Sequence, residues 1–144
     1  MNNLTPEMLA ELEVKKKYLK RYKKNKALID RLKIKVSILD ERITSLRSPS
    51  LSGMPRGGNP VTAADLIAEK VDLEERIAKL SGRGLILKHE ITDKIDELEE
   101  SKYAEILESF FIDCKEFDEI AESMGYTERH VIRLYSEAIL HITL

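Results

Sequence analysis

The 144-residue sequence has no tryptophan, one cysteine, four prolines and six glycines, and only 6% of its residues are aromatic. With Cys114 as the sole thiol, no internal disulfide can form, and a reduced side chain between two helices fits a cytoplasmic setting. No apolar run approaches the roughly 20 residues that cross a bilayer. The first residues also lack the apolar block of a secretory signal, so the expected location is cytoplasmic. His89, His130 and His141 are scattered, and no His, Cys and carboxylate set has metal-ligand spacing. Gly57-Gly58 lacks the Gly-Lys-Ser/Thr ending of a phosphate loop, and Cys114 has no evident base beside it. Neither an enzyme activity nor a cofactor or metal is expected.

What the chain has in quantity is charge: 35% of it is Asp, Glu, Lys or Arg, with a net charge of only −2. The near balance hides a segregation of sign. Pro6 to Arg47 holds thirteen basic residues against six acids, Ser48 to Glu100 seven against eleven, and Ser101 to Leu144 four against nine. The basic excess is concentrated in Lys15, Lys16, Lys17, Lys20, Arg21, Lys23, Lys24 and Lys26. Tyr18, Leu19 and Tyr22 are interleaved with them, and no acid falls inside the run. On a helix these lysines spread charge nearly all round the cylinder, while Tyr18, Leu19 and Tyr22 face a partner helix. The run reads as a surface for the DNA backbone, or alternatively as a solvated helix face.

Apolar periodicity divides the chain. Thr5-Pro6-Glu7 is a helix start, with a cap, a proline in the first turn and an acid at the positive end. From there one long helix is expected to reach Leu46. Its residues Ile29, Leu32, Val36, Leu39, Ile43 and Leu46 step by alternating threes and fours, which makes a coiled-coil seam. Ser48 to Pro60 holds three of the prolines and three of the glycines, the composition of a linker. Arg56, inside it, is either a solvated charge or a flexible arm for phosphate. Thr62-Ala63-Ala64-Asp65 caps a second helix, expected from Ala63 to Glu100. Its seam is Leu66, Leu73, Ile77, Leu80, Leu87, Ile91, Ile95 and Leu98. Gly82 and Gly84 inside it mark a kink or a close crossing against the first helix, since glycine in a helix interior costs about 1 kcal/mol.

Neither stripe is wide enough to be stable alone in water, so each needs the other or a second chain. The expected fold is all-α: a long antiparallel helical hairpin, a coiled coil, followed by a C-terminal helix-turn-helix. Residues 1–47 form the basic coiled-coil helix, 48–61 the flexible linker, 62–100 the second coiled-coil helix and 101–144 the helix-turn-helix domain. An extended monomeric coil is the competing picture for the first hundred residues.

The C-terminal stretch carries the functional signal. Three short helices are expected, near Ser101–Ile112, Glu116–Ser123 and Glu128–Ile142. Phe117, Ile120 and Ala121 share one helical face, and Gly125 suits the left-handed conformation that closes a helix. Thr127 is a good N-cap for the next helix. On that last helix Val131, Leu134, Ala138 and Ile142 lie on one face. Glu128, Arg129, His130, Ile132, Arg133 and Ser136 are left on the other. Folding alone would not require an Arg, His and Arg together near a helix N-terminus. A helix-turn-helix presents its second helix to the DNA major groove, so Thr127 and these six residues are the candidate DNA-binding set.

These residues resemble the C-terminal promoter-reading domain of bacterial sigma factors, region four, and the related phage transcription regulators of the ArpU and RinA type. Ile106-Leu107, Phe117-Asp118-Glu119-Ile120-Ala121, Met124-Gly125-Tyr126-Thr127, Val131, Arg133, Leu134, Ala138 and Ile139 carry the resemblance, which covers roughly Leu98 to Ile142. The outline of a helical coil followed by this unit, with the Gly53-Met54-Pro55-Arg56-Gly57-Gly58 linker, is also similar to a small family from phages and prophages of Gram-positive bacteria. The resemblance implies double-stranded DNA as a partner, RNA polymerase as a second one, and a phage-derived transcription regulator. A homodimer is expected, because two-fold symmetry matches paired half-sites.

Two other classes stay open. An acidic reading domain would bind DNA weakly alone, since phosphate neutralisation supplies most of the affinity. That favours an interaction protein that binds polymerase without sequence-specific DNA contact. A phage packaging or structural coiled-coil protein is the third reading.

Overall fold

The computed structural model describes residues 4–47 and 61–144, and those residues form helices and connections with no strand among them. The elements are α1 (Pro6–Leu19), α2 (Arg21–Arg47), α3 (Ala63–Asp96), α4 (Ser101–Phe111), α5 (Phe117–Met124) and α6 (Glu128–His141). The linker residues 48–60, with Arg56 and the Gly53–Gly58 run, lie outside the described residues.

The expected single helix from Pro6 to Leu46 is divided at Lys20. The break is local: Lys20 keeps right-handed helical angles, its N–H donates to the Lys16 carbonyl and its own carbonyl accepts from Lys24, both at 2.9 Å. At this point the Arg21 Nε donates to the Tyr18 carbonyl at 3.1 Å, so a side chain reaches a group that the helix ladder ordinarily uses. The second long helix stops at Asp96, four residues short of Glu100, after running without interruption through Gly82 and Gly84.

Two compact units divide the chain. One takes the residues up to Asn25 together with Gly84–Leu144, and the other falls within Lys26–Arg83. Both divisions fall inside helices, and each unit has its own apolar cluster.

In the second unit Leu39, Ile43 and Leu66 are buried together with Leu73 packed against them. Lys70 Nζ sits 2.6 Å from Asp40 Oδ1 and 3.7 Å from Glu74 Oε1. The N-terminus of α3 is closed reciprocally: the Asp65 N–H donates to Thr62 Oγ1 at 3.2 Å and the Thr62 N–H donates to Asp65 Oδ2 at 3.1 Å. The Thr62 N–H first, and then the Thr62 hydroxyl, hold the Asp65 carboxyl below its usual range. Leu46, placed on the seam by its spacing, is 46% exposed.

The first unit is the larger core. Leu12 and Leu19 of α1, Ile91 and Ile95 of α3, and the inward faces of α4, α5 and α6 bury one another. Phe110, Phe111, Phe117 and Tyr135 meet as rings, with Phe110 and Phe117 stacked at 4.7 Å between centroids. Such contacts add about 0.5–1.5 kcal/mol per pair beyond the area they bury. The α1 segment is therefore part of the C-terminal unit's core.

Glycine placement separates the two readings of Gly82 and Gly84. A Cβ on Gly84 would lie 3.0 Å from Asn25 Oδ1, so this is a close crossing, whereas a Cβ on Gly82 would meet nothing within 4 Å. Asn25 is 8% exposed, and its Oδ1 is buried without a hydrogen-bond partner. Sequence spacing gives no sign of that buried amide. Cys114 lies in the connection between α4 and α5 with φ of 57°, its Sγ 3.7 Å from the Ile112 carbonyl.

Candidate nucleic-acid interface

The last two helices are set at their junction by backbone chemistry. Gly125 closes α5 at φ 71°, ψ 28°, a conformation that a Cβ disfavours. The Tyr126 N–H donates back to the Ala121 carbonyl at 2.9 Å, in the manner of a glycine C-cap. Thr127 then begins α6, its Oγ1 accepting from the His130 N–H at 3.2 Å.

Helix α6 has two faces of opposite character. Val131, Leu134, Ala138 and Ile139 are buried in the core, with Tyr135 beside them. Thr127, Glu128, Arg129, Ile132 and Arg133 are exposed, and His130 and Ser136 are half-buried. Ile132 is 41% exposed and Tyr126, just before the cap, 38%. Chemically, this face offers two guanidinium donor groups, Arg129 and Arg133, beside an exposed apolar tip, Ile132.

The polar groups of this face are connected. Arg133 Nη2 is 3.0 Å from His130 Nδ1, and its Nε is 3.9 Å from Glu137 Oε1. The other carboxylate oxygen of Glu137 accepts from the Tyr103 hydroxyl at 3.0 Å. Partial burial first, and then this bond to a carboxylate, raise the Tyr103 pKa above its ordinary value. The Tyr103 ring stacks on His141 at 5.3 Å, and the Tyr126 ring meets His130 edge-on at 4.8 Å. Tyr103 and Glu137 were not candidates on sequence grounds. They lie 34 positions apart, and no helical period brings α4 against α6.

The basic run is divided by what it touches. Lys15 is 8% exposed, donating to Glu11 at 2.6 Å and to the Leu140 carbonyl at 2.9 Å. Lys16 pairs with Glu13 at 3.6 Å, and its Nζ lies 5.8 Å from the Tyr135 ring centre. Lys23 Nζ is 3.6 Å from the centre of the Phe110 ring. Arg21 lies over Tyr18 at 4.2 Å and pairs with Glu90 at 2.9 Å. Tyr18 donates to that same carboxylate oxygen at 2.8 Å, and these two bonds, Tyr18's first, hold Glu90 below the usual carboxylate range. Lys17, Lys20, Lys24 and Lys26 are exposed. Although no acid lies within the run, Glu11, Glu13 and Glu90 reach it from outside. Four of its eight cations are thus engaged within the fold, and four face solvent.

No protein-family model, curated protein or solved structure matches this chain. Among the described residues no helix is long and apolar enough to cross a membrane, and no cluster of three or more His, Cys, Asp or Glu side chains is placed to hold a metal ion.

Proposed function

We propose that this chain is a DNA-binding transcription regulator of phage or prophage type. It reads promoter DNA through α5 and α6, acting as a sigma-like helix-turn-helix. The supporting observation is the division of α6: one face is consumed by the core, while Arg129, Ile132 and Arg133 are exposed together just after a capped N-terminus. Arginine forks and apolar tips are the groups that distinguish base pairs in the major groove. The exposed lysines 17, 20, 24 and 26 supply phosphate contacts that the acidic C-terminal residues do not. The protein acts in the cytoplasm, where promoter DNA and polymerase are found.

The coil is proposed to be an antiparallel hairpin of α2 and α3, supported by the Asp40–Lys70 ion pair and the cluster of Leu39, Ile43 and Leu66. It is also proposed to carry a homodimer at micromolar concentration. Leu39 is buried within the chain at 4% exposure, whereas Ile38 is 51% and Val71 46% exposed. Sedimentation separates these roles: Ile38→Glu and Val71→Glu dissociate the dimer without loss of helix content, while Leu39→Glu unfolds the hairpin. A monomeric unaltered chain at those concentrations would refute the dimer alone.

Selection of binding sites from random duplex DNA, at low and at physiological salt, tests the main reading. An enriched motif that Arg129→Ala and Arg133→Ala each alter is the expected result. Failure to enrich any motif in either condition would favour the second reading, an interaction protein that binds RNA polymerase. The nine acids against four basic residues after Glu100 favour that alternative.

A further inference from the structure

We propose that Tyr103, Glu137 and His130 are positioning residues that hold Arg133 with the outer end of its guanidinium aimed away from the protein, set to read one guanine. The proposal rests on the DNA-binding reading of α6 and adds to it a base and a mechanism of selection.

The geometry starts at α4. The Tyr103 hydroxyl fixes one carboxylate oxygen of Glu137 at 3.0 Å, and the other oxygen faces Arg133 Nε at 3.9 Å. One turn earlier on α6, His130 Nδ1 lies 3.0 Å from Arg133 Nη2. A guanidinium has only donors, so His130 must accept there, which requires Nδ1 to be unprotonated. The ring is itself met edge-on by Tyr126 at 4.8 Å. Glu137 and His130 thereby occupy the side of the guanidinium formed by Nε and Nη2. The remaining end, formed by Nη1 and the second Nη2 proton, is a two-donor fork. Guanine presents two acceptors, O6 and N7, in the major groove, and arginine is the side chain that binds both at once. Adenine offers one acceptor and one donor at the same edge, so the fork rejects it.

Holding the fork in advance has a specific value here. An exposed arginine ordinarily loses rotamer freedom when it binds, and prior orientation lowers that cost. The charge of Glu137 opposes DNA phosphate in general, so its presence on this face is unfavourable for nonspecific affinity. Its contribution is therefore to selectivity, and the preference between bases is the quantity to measure.

The experiment uses the full chain and a duplex recovered by site selection, remade with each of the four base pairs at every position. The unaltered protein should prefer guanine at one position, and Arg133→Ala should erase that preference, a loss of about 10- to 100-fold for a bidentate contact. Tyr103→Phe and Glu137→Ala should reduce the preference at the same position by roughly two- to fivefold, the scale of an exposed ion pair. Thermal melting and the salt dependence of binding to random DNA report folding and general charge separately. A guanine preference that Arg133→Ala removes but Tyr103→Phe and Glu137→Ala leave intact would overturn the positioning role and leave DNA reading in place. Persistence of every base preference in Arg133→Ala would overturn the guanine assignment. Absence of any selected duplex would instead remove the DNA-binding reading itself.

Discussion

Lys15 Nζ donates to the main-chain carbonyl of Leu140 at 2.9 Å, joining positions separated by 125 residues. The carbonyls of a helix's last turn have no partner within the helix and carry its negative end. A lysine from α1 satisfies one of them at the end of α6, while Glu11 balances its charge at 2.6 Å. The basic run therefore begins as a structural element of the C-terminal unit.

Replacing Lys15 by Ala should lower stability by about 1–3 kcal/mol, because it removes the donor from a carbonyl within the packed unit. Replacing the exposed Lys17 should change stability by no more than about 0.5 kcal/mol. Urea denaturation of the two variants tests the contrast, and equal stabilities would contradict the packing role.

For DNA, the informative lysines are the exposed ones. Changing Lys17, Lys20 and Lys24 together to Ala should weaken binding to all sequences alike. The slope of log affinity against log salt should become shallower by up to about 0.9 for each phosphate no longer neutralised. Unchanged affinity for random duplexes at low salt would make these lysines a solvated face and nothing more.

Gly82→Ala should stabilise the protein by about 0.5–1 kcal/mol, since alanine is the better helix former. Its Cβ would enter open space. Gly84→Ala should lose most of that gain, because its Cβ would meet Asn25 Oδ1 at 3.0 Å. Combining Gly84→Ala with Asn25→Ala should recover it. Additivity of the two changes in thermal melts would argue against the crossing.

High pH should expose the burial of Tyr135. Desolvation, helped by the Glu13 carboxylate, pushes its hydroxyl up to about 12 from 10.0. The folded state therefore favours the neutral phenol. That contribution is complete below pH 10 and is lost as pH rises from about 10 toward 12, by about 3 kcal/mol in all. Tyr135→Phe should show a shallower alkaline loss than the unaltered chain. Parallel stability curves would rule the effect out.

The sequence by itself determined the all-helical class and where several helices begin or end, but not the break at Lys20. Thr5-Pro6, Thr62 with Asp65, and Thr127 are local caps whose chemistry acts within four residues, and Gly125 closes α5 through its own backbone freedom. The faces of α6 were legible for the same reason, since a 3.6-residue period is a property of neighbouring positions. The tertiary structure decided which charges are available and which are used up. Nothing near Lys15 in sequence indicates that it caps α6, and nothing near Glu137 indicates Tyr103. Gly84 reads as an ambiguous helix interruption until Asn25 is placed against it. The division of the chain likewise falls inside α2 and α3, because compactness follows packing between distant segments, whereas a helix follows hydrogen bonds between near ones.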